Sequence, residues 1–110
     1  IGLVTSVVGS MLNIKPIISC DDDGVYYTVA KIRGARHGQS RLLEEARAFA
    51  GSGPCLTALL NGQGQEAANA LRPRLISGIP SGHLIMEKSI VPSMAVHTGP
   101  GLVGIGILRL

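Results

Sequence analysis

The most constraining stretch of this sequence is Asp21-Asp22-Asp23-Gly24, set between two runs rich in β-branched and aromatic residues, Ile17 to Cys20 and Val25 to Arg33. An Asp-Gly corner between such runs reads as a β-hairpin, because aspartate favours the turn and glycine supplies the positive φ. The chain is thereby committed to at least one antiparallel strand pair. The three acids also invite a calcium reading. An EF-hand loop, however, needs acids at alternating positions, a closing Glu and a helix on either side. Consecutive acids between strands are turn chemistry.

Around this hairpin the periodicities alternate. Leu3, Val4, Val7, Val8, Met11 and Leu12 recur with helical steps, which predicts a helix over Leu3–Leu12 that Pro16 stops. Gln39–Ala50 is amphipathic, with Leu42, Leu43, Ala46 and Phe49 on one side and Arg41, Glu44, Glu45 and Arg47 on the other. Cys55–Leu60 reads as a buried strand. Gln65 to about Leu75 reads as a second helix with Ala68, Leu71 and Leu75 inward, kinked or ended early by Pro73. His83–Val91 is apolar on both parities and so is expected to be a strand buried on both faces. Gly101–Leu110 closes the chain as a strand in which Val103, Ile105 and Ile107 alternate with Gly104 and Gly106. One side of that strand carries no side chains, a mark of close approach by a backbone or a ligand. The order α-β-β-α-β-α-β-β predicts a single α+β domain over 1–110, with a mixed or antiparallel sheet of about five strands and helices packed on it.

Composition narrows the function. Hydrophobic residues are 45% and charged residues 15% of the chain, which excludes a disordered segment. Aromatics are only 3%, so the core must be aliphatic. That suits a plain core and equally a greasy cavity. Cys20 and Cys55 lie far apart with no CxxC and no adjacent His. They are expected to be reduced core residues of a cytoplasmic protein, and neither a metal site nor a disulfide framework. No apolar run reaches the roughly 20 residues of a membrane span, and no signal-peptide pattern opens the chain.

Net charge is +3, and the basic residues bunch at Lys31, Arg33 and Arg36, followed by His37. No aromatic residue accompanies them for base stacking, so nucleic acid is not the expected partner. The cluster is either a solvated loop or a site for one carboxylate or phosphate. Residues 99–104 match GxGxxG formally, yet no helix and no acid can follow in the six residues left. Ser81 and Ser93 near His83 and His97 lack the GxSxG elbow and a separate Asp, so no hydrolase triad is indicated. His97, in the loop His97-Thr98-Gly99-Pro100-Gly101, has glycines that let an anion approach the backbone. On chemistry alone it is either a ligand contact or a satisfied polar residue.

Three blocks in order carry a resemblance. Leu12-Asn13-Ile14-Lys15-Pro16-Ile17-Ile18 is similar to the L-L-N-I-K-P-I-L segment of the DegV family, Lys31-Ile32-Arg33-Gly34 to its K-V-R-G, and His97 to Gly101 to its H-T-G-P-G. The resemblance runs over essentially the whole chain. It implies the second domain of a two-domain protein, starting just after a Gly-Arg pair that precedes Ile1-Gly2 in the family, with the N-terminal domain of the same parent absent.

The resemblance further implies a non-enzymatic carrier of a long-chain fatty acid, with no cofactor, held in a tunnel between and within the domains. His97 maps onto a histidine that holds the carboxylate together with Thr and Ser of the first domain, and Thr98, Gly99 and Gly101 share its loop. Arg33 maps onto an arginine near the head group that matters for a fatty acid kinase subunit, which would phosphorylate the carboxylate. Transient membrane contact is compatible with that role. Two departures stand out: the family often has a His at Asn61, and Pro73 interrupts a usually continuous helix. A structural module, or a binder of a small phosphorylated metabolite, are the alternative readings.

Overall fold

A computed structural model of the chain describes residues 3–8, 14–89 and 102–110, the first of these for the backbone alone. Its elements are β1 (Leu3–Val8), β2 (Ile14–Cys20), β3 (Tyr26–Arg33), α1 (Ala35–Ala50), β4 (Cys55–Gly62), α2 (Gln65–Gly78), β5 (Gly82–Ser89) and β6 (Leu102–Arg109). The strands form one mixed sheet in the order β3-β2-β1-β6-β4-β5. Among the described strands only β4 and β5 pair in parallel, joined by α2 as a crossover needs. The expected α+β class stands.

The hairpin forms as its sequence demands. The Asp21 carboxylate accepts the amides of Asp23 and Val25, each at 2.9 Å, and Gly24 takes φ 82°. That carboxylate is spent on the backbone. The helix expected over Leu3–Leu12 is corrected: residues 3–8 are a strand, and 9–12 lie outside the described residues. The apolar period of so short a run fits a buried strand as well as a helix. Val4, Thr5, Val7 and Val8 are β-branched, and β1 is paired on both sides, by β2 and β6. This strand takes the sheet to six among the described residues.

Both helices lie on one face. Leu42, Ala46 and Ala50 of α1 and Ala68, Leu71 and Leu75 of α2 pack on Ile17, Cys55, Leu59, Val103, Ile105 and Ile107, all at most 4% exposed. Helix α1 starts at Ala35, earlier than expected, after the break at Gly34 (φ 88°). Helix α2 runs on through Pro73 to Gly78. Asn69 and Pro73 are both exposed, so water can take the carbonyl bond that the missing proline amide leaves open. Strand β5 is also corrected. It is an edge strand exposed from Ile85 to Ser89, with Ile85 62% exposed as the extra residue where pairing with β4 shifts and Met86 45% exposed beside Ala58. Of the two cysteines, both free thiols, Cys55 is fully buried and Cys20 half-buried.

Candidate functional site

Alternation along the central strands divides the sheet. Val103, Ile105 and Ile107 of β6, and Cys55 and Leu59 of β4, face the helices. The intervening residues therefore form the opposite face: Gly104, Gly106 and Leu108 of β6, with Leu56, Ala58 and Leu60 of β4. Gly106 stands beside Ala58 and Gly104 beside Leu60. The result is a glycine floor with an aliphatic flank, running about 20 Å between Leu102 and Leu108 at the usual strand rise. No described helix packs on it, yet Leu102, Gly104 and Gly106 are buried, while Leu56, Ala58, Leu60 and Leu108 are half-buried.

One end of the sheet gathers the polar groups. Strands β3, β4 and β5 end there, β2 and β6 begin there, and both helices start there. Asn61 pairs with Ser89 and Gly62 with Leu102. The 90–101 segment thus leaves and re-enters the sheet beside the C-terminal end of β4. His97, Thr98, Gly99 and Gly101 all belong to that segment and lie outside the described residues. An open cleft of about 650 Å³ adjoins its anchor points, lined by Asn61, Gln63, Gly64 and Ser89 among others. Asn61 is 8% exposed, and its Oδ1 accepts the Gly64 amide at 3.3 Å. Its role here is to shape the turn into α2, where Gln63 adopts φ 55°.

Arg33 ends β3 at the same end of the sheet, opposite Ile14. Ile32 packs against the core, so Arg33 projects on the helix-free face. It is exposed, as are Lys31 and the Arg36 and His37 of the first turn of α1. The basic cluster is thus a strand end and a helix start, and not a loop. Three inter-strand steps, roughly 14 Å, separate β3 from β6, so Arg33 shares an end of the sheet with the 90–101 anchor points without adjoining them.

Elsewhere, an ion pair ties α2 to β5. Arg72 of α2 donates from Nε and Nη2 to the Glu87 carboxylate of β5, with the closest contact at 2.6 Å. These bonds, more than the charge itself, hold the Glu87 carboxyl below its ordinary range and raise Arg72 above its own. Among the described residues no three of His, Cys, Asp and Glu gather to hold a metal, and no helix is long and apolar enough to cross a membrane. The arrangement offers an apolar sheet face on β4 and β6, with a basic cluster three strands away at one end of the same sheet. The helix-free face of β4 is what sequence reasoning passed over. Its signal was the second apolar parity, Leu56, Ala58 and Leu60, which no helix needed.

Comparison with known proteins places this geometry. The family model described as an uncharacterised protein of the DegV family matches residues 1–110. A DegV domain-containing protein of Clostridium perfringens is 39% identical over 109 residues, covering 99% of this chain and 38% of the relative. The chain therefore spans well under half the length of that relative. Among solved structures, a DegV family protein of Corynebacterium glutamicum superposes with a TM-score of 0.86 at 24% identity, over 97% of this chain and 48% of that one. The fatty acid kinase B3 protein of Streptococcus pneumoniae, loaded with linoleic acid, superposes at 0.77 and 13% identity, over 94% of this chain and 43% of that one. With the fold shared and the match running from first residue to last, the chain belongs to the DegV family.

Proposed function

We propose that this chain is the C-terminal, lipid-holding domain of a two-domain DegV protein, and that its helix-free sheet face forms one wall of the site for a single long-chain fatty acid. The observation that carries the reading is the glycine floor of Gly104 and Gly106 beside Leu56, Ala58 and Leu60, on the sheet face away from the helices. A fatty acid needs a long apolar wall and few polar groups at one end. His97 and Thr98 are assigned to the carboxylate, with the glycines Gly99 and Gly101 letting it approach the backbone. Arg33 supplies a cation at the same end of the sheet. Thr and Ser of the first domain complete the carboxylate site. The name of the linoleic-acid-loaded neighbour supports a lipid ligand and a kinase relationship alike.

The kinase relationship in that neighbour's name suggests which protein acts on the carboxylate. Phosphoryl transfer to the carboxylate is therefore assigned to a partner kinase that Arg33 helps to engage, since guanidinium pairs well with carboxylate and phosphate. In this reading the protein is a cytoplasmic carrier and not an enzyme. Native mass spectrometry of the protein carrying this chain, purified from its host, tests the proposal. One long-chain fatty acid per molecule is the expected increment. A phosphorylated metabolite in its place, or no ligand, overturns it.

A further inference from the structure

Strand β3 closes one side of the sheet, and nothing among the described residues covers its outer edge. It carries Tyr26 and Tyr27, 63% and 51% exposed, next to Val25 at 59%. Phe49, the only other aromatic in the chain, lies instead under the Arg109 guanidinium, 4.2 Å from the ring centroid. Two of three aromatics thus stand on an open edge, and tyrosine is a residue type enriched in protein interfaces. An unpaired strand edge presents amide and carbonyl groups ready to pair with another strand. Pairing with β2 shifts between Ile17 and Ile18, which makes Val29 an extra residue on β3. The straight part of the edge is therefore 25–28.

Charge decides the occupant. Asp22 and Asp23 precede the strand, and Lys31 and Arg33 close it, all exposed. None of them forms an ion pair within the described residues. The edge is acidic at its start and basic at its end. Antiparallel pairing of two such edges sets acid against base at both ends at once, whereas parallel pairing sets like against like. With a two-fold axis anywhere between Tyr26 and Thr28, Asp22 of one copy falls opposite residues 30–34 of the other and Asp23 opposite residues 29–33. We infer that β3 is a self-complementary interface, on which a second copy of this chain pairs antiparallel through Val25–Thr28 with Asp22 opposite Lys31 across the axis. The inference does not depend on the lipid.

Sedimentation velocity of the full protein over a concentration series tests it, with Asp22→Lys and Lys31→Glu as separate variants. The wild type is expected to form a dimer that weakens with salt. Each reversal is expected to raise the dimer dissociation constant about tenfold or more. An equimolar mixture of the two variants restores association, because every charge facing across the axis is then opposite again. Tyr27→Ser weakens the dimer without altering charge, and circular dichroism checks that each variant folds. A monomer at all concentrations, a dimer indifferent to these changes, or a mixture that does not recover overturns the inference. Pairing of this edge with a different protein would appear as the first of these outcomes.

Discussion

Gly106 gives the strictest test of the proposed lipid face. It lies mid-strand in β6, opposite Ala58 of β4 and Thr5 of β1. Its backbone is not in the positive-φ region, which among the described glycines holds only Gly24, Gly34 and Gly51. A Cβ added there would lie 3.6 Å from the Ala58 Cβ, an ordinary contact and the nearest among the described side chains. Nothing described in the domain therefore requires glycine. A strand glycine is destabilising by roughly 0.5–1 kcal/mol relative to alanine, through the freedom it gives the unfolded chain. Gly106→Ala is accordingly expected to stabilise the protein by about that amount, read as a rise in the urea midpoint at constant slope.

The same position should behave oppositely toward lipid. Gly106→Leu places a branched side chain on the floor of the trough, where an acyl chain is proposed to lie. Fatty acid content per molecule, measured after extraction, is expected to fall about tenfold or more, the scale of a clash with a close-packed chain. Two results would refute the reasoning. Destabilisation by Gly106→Ala would show that packing inside the domain demands the glycine. Undiminished lipid in a folded Gly106→Leu variant would show that the acyl chain lies elsewhere.

Other outcomes follow from the same geometry. His97→Ala should weaken fatty acid binding roughly ten- to hundredfold, the worth of a hydrogen bond to a charged group, with His97→Gln retaining more; titration with a fluorescent fatty acid reads this. Arg33→Ala should leave the denaturation midpoint nearly unchanged, since Arg33 is exposed and makes no described ion pair, while slowing phosphorylation by the cognate kinase; unfolding would instead mark a structural role. Leu42→Ala removes a fully buried side chain from the centre of the helix–sheet core and should lower stability by about 2–5 kcal/mol in urea denaturation. Glu87 has its folded pKa depressed by Arg72, so its contribution is present above the unfolded carboxylate pKa and lost as pH falls through the folded one. Amide exchange in β5 should therefore quicken on acidification in the wild type and not in Glu87→Gln, a modest effect because the pair is exposed.

Local chemistry was legible where it acts locally. The Asp21 turn and the inward faces of both helices, Leu42 and Ala46, then Ala68, Leu71 and Leu75, follow from the residues themselves. The misreadings came from partners distant in sequence. Leu3–Val8 is a strand because β6, about a hundred residues on, and β2 flank it, and no local period conveys that. Lys31 to His37 resembles a charged loop until Gly34 divides it between a strand end and a helix start. Helix α2 does not end early at Pro73 but continues to Gly78. For the site, Arg33 falls at the expected end of the sheet, whereas His97, Thr98, Gly99 and Gly101 rest on the family motif and on the anchoring of their segment at Ser89 and Leu102.

The apolar run from Cys55 to Leu60 joins these strands of reasoning. A strand that is apolar on both parities needs cover on both faces. Helices meet half of that need: Cys55 and Leu59 are at most 1% exposed beneath α1 and α2. That side is filled by Leu42, Leu71, Leu75, Ile105 and Ile107, side chains too closely packed to admit a ligand. The other half, Leu56, Ala58 and Leu60, is only half-buried and borders two glycines that remove the side chains a neighbouring strand would have offered. A sheet meant to face water would place polar residues there. A sheet meant to receive a helix would carry side chains for ridges and grooves to interlock, as it does on its opposite side. A smooth aliphatic floor suits neither. It suits a slender apolar chain such as the proposed fatty acid would supply.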